Sequence, residues 1–306
     1  MSRFLDNKSS VKHDFFDHDI KSNFKFLSDC ISNKKILVIG GAGTIGSNYI
    51  KQILHFKPKT LMVVDQNENA LTELTRDLRS SNLLDYNPVY LTYPINLLSE
   101  TFDKIFQKHH FDIISNFSAH KHVRSEKDIL SIEALIKNNI YGAIKLLKLC
   151  EINQPDYFFS VSTDKATNPV NIMGASKLIM EKLILSKMNN FRVSTARFAN
   201  VSFSNGSLLE GFKSRINKSQ PLSCPSNIKR FFVSPEQSGK ICMLATFLGN
   251  SGNIFFPKLD FNNDQIYFKD IAIDYLKYKG FKPVEIETEM EAKNFNINNS
   301  KKYPIY

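Results

Sequence analysis

The sequence predicts an α/β fold: a doubly wound parallel sheet of the Rossmann type followed by a smaller C-terminal lobe. Three observations carry this. Short apolar, β-rich runs alternate with helix-period segments from about residue 35 to residue 200. A glycine cluster directly follows the first run and opens the first helix. Beyond residue 200 the alternation weakens and turn residues gather.

Residues 1–33 are polar, with Phe15, Phe16, Phe24, Phe26 and Leu27 interspersed, and read as a helical or irregular arm on the outside of the domain. Ile36, Leu37, Val38 and Ile39, flanked by Lys35 and Gly40, form a buried strand. A helix is expected over 44–56, a second buried strand over 61–64 and a helix over 70–79. Strands follow at 89–92 and 113–116, then a helix over 132–150. A fifth strand spans 157–162, a helix 174–188 and a sixth strand 192–196. This spacing is that of βαβ units. The expected organisation is an arm over 1–33, a dinucleotide-binding domain over 34–200 and a substrate-binding lobe over most of 201–306. Ser204-Asn205-Gly206, Pro221, Pro225, Pro235 and the turn at 249–252 mark the lobe.

The 306 residues are 42% hydrophobic and 23% charged, which excludes a disordered or fibrous chain. No apolar run approaches the roughly 18 residues of a membrane-spanning helix. The N-terminus lacks the apolar core of an export signal, so a cytoplasmic location is expected. Cys30, Cys150, Cys224 and Cys242 are scattered, fit reduced thiols and show no metal-ligand spacing, so no metal is expected. His109-His110 reads as a surface helix end. The net charge of +10 favours an acidic ligand. Lys and Arg never cluster in a run of five, and no nucleic-acid partner is expected.

Gly40, Gly43 and Gly46 satisfy G-x-x-G-x-x-G, and Gly41, Gly43 and Gly46 satisfy G-x-G-x-x-G. A tight turn lets the backbone approach a pyrophosphate, and the opening turn at Thr44 and Ile45 offers free N–H groups. Asp65 ends the second strand 22 residues after Gly43, the place of an acid that binds a ribose 2′-hydroxyl. No Arg follows to receive a 2′-phosphate, so NAD is expected rather than NADP.

At the end of the fifth strand stand Thr163, Asp164 and Lys165, and Met173 and Lys177 share a helix face downstream. The block from Ser162 to Lys177, Ser-Thr-Asp-Lys-Ala-x-x-Pro-x-Asn-x-Met-Gly-Ala-Ser-Lys, resembles the signature of nucleotide-sugar 4,6-dehydratases of bacterial polysaccharide synthesis. These belong to the extended short-chain dehydrogenase/reductase superfamily. Ser118-Ala119-His120-Lys121-His122-Val123 and Arg197-Phe198-Ala199-Asn200-Val201 resemble further family segments, and Arg230-Phe231-Phe232 lies where a substrate-facing Arg-Tyr-Phe usually stands.

The resemblance implies a three-step reaction on a UDP-linked N-acetylhexosamine: oxidation at C4 by NAD⁺, loss of water across C5–C6, and return of hydride to C6. It implies that Thr163 hydrogen-bonds the C4 oxygen, Asp164 protonates the departing C6 hydroxyl, Lys165 is the base at C5 and Lys177 holds the nicotinamide ribose. It places Ser118 and Ala119 on the cofactor and Lys121, His122, Asn200 and Arg230 on the sugar nucleotide. A homo-oligomer is expected. Most of the superfamily carries Tyr where this chain has Met173, whose thioether cannot take a proton, so Asp164, Lys177 or a water must serve at C4. Arg124-Ser125-Glu126 departs from the usual Pro-x-x-Glu. On residue chemistry alone, Asp164–Lys165 also reads as a surface ion pair, Asn200 as a turn cap, and Lys121-His122 as a solvated loop. A 4-epimerase or C4 oxidoreductase, or an NAD-binding protein without turnover, are the alternative functions.

Overall fold

The computed structural model describes residues 15–123, 126–260, 264–297 and 301–306. They fall into two compact units, one comprising Phe16–Phe198 and Glu236–Pro257, the other including Ala199–Pro235 and Lys258–Tyr306.

The first unit opens with α1 (Phe15–Ser22) and α2 (Phe24–Ile31). Leu27, Cys30 and Ile31 of α2 are buried, so this part of the expected arm belongs to the unit; residues 1–14 lie outside the described residues. The sheet strands are β1 (Lys35–Ile39), β2 (Thr60–Val64), β3 (Val89–Tyr93), β4 (Ile113–Asn116), β5 (Tyr157–Val161) and β6 (Val193–Ala196). After β7 (Asn200–Val201), β8 (Lys229–Arg230) and β9 (Phe232–Val233) of the other unit, β10 (Asn253–Phe255) completes the sheet. The order is β10-β6-β5-β4-β1-β2-β3, every pairing parallel. The order reverses between β1 and β4, the switch point where such sheets bind ligands.

Crossover helices cover both faces: α3 (Thr44–Leu54), α4 (Glu68–Ser80), α5 (Glu100–Lys108), α6 (Ile129–Ile136), α7 (Gly142–Ile152) and α8 (Ile172–Leu185). A single π-turn, Lys137–Tyr141, joins α6 to α7. The helix expected over 132–150 thus carries an irregularity that periodicity does not reveal. Tyr49, Ile50, Ile53 and Leu54 form the buried stripe of α3.

The division at residue 200 gives way to a discontinuous unit. After α9 (Leu208–Asn217), the chain returns through α10 (Pro235–Phe247), which is buried from Gln237 to Phe247. A Cβ on Gly239 would meet the main chain of Asn48 at 2.5 Å, so α10 lies directly on α3. Strand β10 then pairs with β6.

In the second unit β7 pairs with β9. Strand β8 pairs antiparallel with β11 (Ile266–Tyr267). Helices α11 (Phe268–Tyr278) and α12 (Glu289–Asn294) flank β12 (Lys282–Glu285), which pairs in parallel with β13 (Lys302–Ile305). Phe212, Leu222, Phe232, Tyr275 and Tyr303 fill its own core. Among the described residues no helix is long and apolar enough to cross a membrane.

Candidate active site

The glycine loop between β1 and α3 is built around close backbone approaches. Gly40 adopts φ +70°, and a Cβ there would lie 2.6 Å from the Ser118 nitrogen. A Cβ on Gly46 would lie 2.6 Å from the Gly40 carbonyl oxygen, which leaves no room for a side chain as α3 starts. Gly43 is the N-cap of α3, and no side chain caps that end. The positive end of the helix therefore faces the loop with no capping side chain in the way of an anion.

One cleft brings the expected cofactor residues together. Gly40, Gly43, Thr44, Ile45 and Gly46 line one wall, and Asp65, Ser118, Ala119 and Lys121 also line it. The Asp65 carboxylate accepts from Asn67 N at 3.0 Å and from Ala42 N at 3.1 Å, so it also ties the glycine loop to the end of β2. These features fit a dinucleotide: a side-chain-free turn, an uncapped helix start and an acid at the end of the neighbouring strand. Gln66, His120 and Asn138 line the cleft as well and were not singled out from the sequence. Partial burial and the Lys121 ammonium hold His122 below the usual histidine pKa.

A second cluster gathers where β5 meets α8. Asn171 caps α8 by accepting from Gly174 N at 2.8 Å. Met173 and Lys177, one turn apart, are both buried. Lys177 donates from Nζ to the Val161 carbonyl at 2.8 Å. Burial pushes its pKa down to about 8 against the opposing pull of the Glu181 carboxylate. A Cβ on Gly174 would meet the Lys165 carbonyl at 2.7 Å, so this glycine lets α8 start against the Thr163–Lys165 turn.

In that turn Thr163 caps a short 3₁₀ segment, Asp164–Ala166. Its hydroxyl donates to Asp164 Oδ1 at 2.9 Å. Lys165 Nζ stands 3.3 Å from the same oxygen. The two side chains remain 39% and 47% exposed, Lys165 and Asp164 respectively, so the surface ion pair does form and Asp164 is not screened from water in this arrangement.

Three groups that sequence reasoning did not assign to the site connect the two clusters. Asn139, buried in the π-turn, accepts from His120 N at 2.8 Å and donates to His120 O and to Ser176 Oγ, both at 3.0 Å. Ser176 donates in turn to Met173 O at 2.7 Å. Glu126 accepts from Met173 N at 2.7 Å. Two adjacent asparagines inside an expected helix were the available signal. Arg197 binds the buried Glu181 through two nitrogens, which ties β6 to α8.

The remaining expected substrate residues belong to the second unit. Asn200 pairs with Phe232 across β7 and β9. Arg230 pairs with Ile266, is exposed, and donates to Lys229 O at 2.8 Å. Among the described residues no group of three or more His, Cys, Asp or Glu is placed to hold a metal. All four cysteines are free and buried.

A family profile described as polysaccharide biosynthesis protein matches residues 36–296. An uncharacterized membrane protein of Methanocaldococcus jannaschii is 33% identical over 283 residues, 88% of this chain and 80% of that one. A UDP-N-acetylglucosamine 4,6-dehydratase (inverting) of Campylobacter jejuni is 30% identical over 240 residues, 74% of this chain and 68% of that one. The match to the probable polysaccharide biosynthesis protein EpsC of Bacillus subtilis, 29% identical, covers 86% of this chain but 44% of that one, so the chain spans under half of that relative. Among solved structures, Pen from Bacillus thuringiensis aligns with TM-score 0.74 at 22% identity, over 90% of this chain and 78% of that one. The Bordetella bronchiseptica enzyme WbmF, in complex with NAD⁺ and UDP, aligns with TM-score 0.67 at 16% identity, over 90% of each. These two likenesses establish the fold.

Proposed function

The chain belongs to the polysaccharide biosynthesis protein family, and from that premise we propose that it is an NAD-dependent 4,6-dehydratase of a UDP-N-acetylhexosamine, with UDP-N-acetylglucosamine as the substrate to test. The observation that carries the reading is the hydrogen bond from Lys177 to Val161, two residues before Thr163. It keeps Lys177, the lysine proposed to hold the nicotinamide ribose, close in the chain to the Thr163–Lys165 turn, which supports this reading. A relative that shares 30% identity with this chain is named for this reaction.

NAD bound in the cleft would supply the site that accepts hydride from C4 and returns it to C6. The glycine turn and the start of α3 hold its pyrophosphate, and Asp65 holds the adenosine ribose. Ser118 and Ala119 line the cofactor, and Lys177 holds the nicotinamide ribose. The Thr163 hydroxyl binds the C4 oxygen. Lys165 takes the C5 proton once the C4 ketone has acidified it, and Asp164 gives a proton to the departing C6 hydroxyl. Lys121 and His122 bind the sugar nucleotide.

The test is NMR of the product after incubation with NAD⁺ and UDP-N-acetylglucosamine, with Lys165→Ala as the control. A 4-keto-6-deoxy sugar from the wild type, absent with Lys165→Ala, is the expected result. A C4 epimer without water loss would establish the epimerase alternative instead.

A further inference from the structure

The wall of the cofactor cleft beside Asp65 is built from the turn after β3. Asp65 N donates to Tyr93 O at 3.2 Å, which ties the end of β2 to that turn. Ile95 and Leu97 of the turn line the cleft together with Val64, Asp65 and Gln66. An acid at the end of the second strand holds the adenosine ribose, so the base attached to that ribose lies against this wall.

The turn spends its own polar groups internally. Pro94 has no N–H and no polar side chain. Ile95 N donates to Tyr93 O at 3.0 Å. The Asn96 side chain accepts from Leu98 N at 2.7 Å, and its carbonyl accepts from Ser99 N at 3.0 Å, contacts that lead into α5. Leu97 is 3% exposed and belongs to the core of the unit, against which Ile95 also packs. A Cβ on Gly142 would lie 3.1 Å from the Leu97 side chain, so this part of the wall is held tightly from behind. Of the cleft residues on β2, on β3 and in the turns after them, only Asp65 and Gln66 carry polar side chains.

Apolar walls hold a flat ring by its faces and leave its edge unread, whereas selection comes from a few fixed polar groups. A site rejects an analogue strongly when it is built to hydrogen-bond a group that the analogue lacks. Asp65 is committed to the ribose in the reading above. The Gln66 carboxamide has an oxygen that accepts and an amino group that donates, so it suits a base edge of either polarity.

We infer that this site takes purine dinucleotides whether the base carries a 6-amino or a 6-oxo group, with Ile95 and Leu97 gripping the ring and Gln66 pairing with either edge. The inference rests on the dinucleotide reading of the cleft and is independent of the reaction at the sugar. Adenine offers a donor at C6 and an acceptor at N1. Hypoxanthine offers an acceptor at C6 and a donor at N1. The two bases have nearly the same shape, so the exchange isolates the polarity of the edge.

The experiment is calorimetric titration of the wild type with NAD⁺ and with nicotinamide hypoxanthine dinucleotide. The expected result is two Kd values within ~3-fold of each other. A site that reads the amino group would bind the hypoxanthine dinucleotide at least about 10-fold more weakly. That result would overturn the inference and leave the dinucleotide reading standing. Ile95→Ala should weaken both dinucleotides by about 5-fold or more, with their ratio still within ~3-fold. Unchanged affinity in this variant would overturn the grip assigned to the turn. Gln66→Leu should weaken both alike, and a loss confined to NAD⁺ would show that Gln66 selects adenine and overturn the inference. If neither dinucleotide binds the wild type, the dinucleotide reading fails and the inference with it.

Discussion

Lys177 Nζ donates to the Val161 carbonyl oxygen at 2.8 Å from a buried position on α8. A lysine is rarely buried without a carboxylate partner at hydrogen-bond distance. Here a main-chain carbonyl and the Met180 sulfur, 3.5 Å away, are its acceptors. Burial costs stability, and the fold accepts that cost to fix a cationic group beside the Thr163 turn.

The cost has a pH signature. The folded pKa of Lys177 is about 8, whereas an unfolded lysine titrates near about 10.4. Between these values the unfolded chain keeps a proton that the folded chain has released, so this group's contribution to stability rises with pH. The penalty is complete below about pH 8 and gone above the unfolded value. Urea midpoints of wild type and Lys177→Met should therefore converge or cross in favour of wild type from pH 8 to 10. A difference that stays flat over that range would show that Lys177 is not desolvated.

Gly174→Ala tests the approach of α8 to the Thr163–Lys165 turn. The added methyl would meet the Lys165 carbonyl at 2.7 Å and the Asn171 cap at 3.2 Å. Overpacking of this kind costs about 1–3 kcal/mol. Turnover is expected to fall more than ~10-fold, because the atom displaced is the main chain of the proposed C5 base. A thermal melt and a kcat measurement on the same preparation check both.

Asp65→Ala should weaken NAD about 10-fold or more while leaving affinity for the sugar nucleotide within ~2-fold, since its carboxylate also restrains the loop at Ala42. Calorimetric titration of each ligand separates the two. Equal losses would make Asp65 a general structural acid.

Glu181 is 1% exposed and relies on Arg197 for its partner. Arg197→Met leaves a buried charge unpaired and should cost about 3–5 kcal/mol. Arg197→Met/Glu181→Leu should recover much of that, because the buried charge is removed with its partner. Denaturant unfolding of the three proteins measures the difference.

The strands of the first unit up to β6 were readable because each is a short apolar run buried on both faces, as with Ile36 to Ile39. The glycine loop was readable because the close approaches at Gly40 and Gly46 leave no room for a side chain there. Strand β10 was not, since three residues beside Gly252 resemble a turn until β6 supplies the partner. Helix α10 hid for the opposite reason: buried through Gln237, Ser238 and Lys240 as well as its apolar residues, it has no polar face to give it a period. Lys240 tolerates this because Asp17 and Glu236 each lie 2.6 Å from its ammonium. The glycine loop and the Ser162–Lys177 block stood out as motifs, whereas Asn139 and Glu126 make contacts with His120 and Met173 that only the fold creates.

The most direct measurement is the mass of UDP-N-acetylglucosamine after incubation with the protein and NAD⁺ in D₂O. Dehydration with Lys165 as the C5 base predicts loss of one water and retention of deuterium in the product. An unchanged sugar nucleotide, with NAD shown to be bound, would contradict the account.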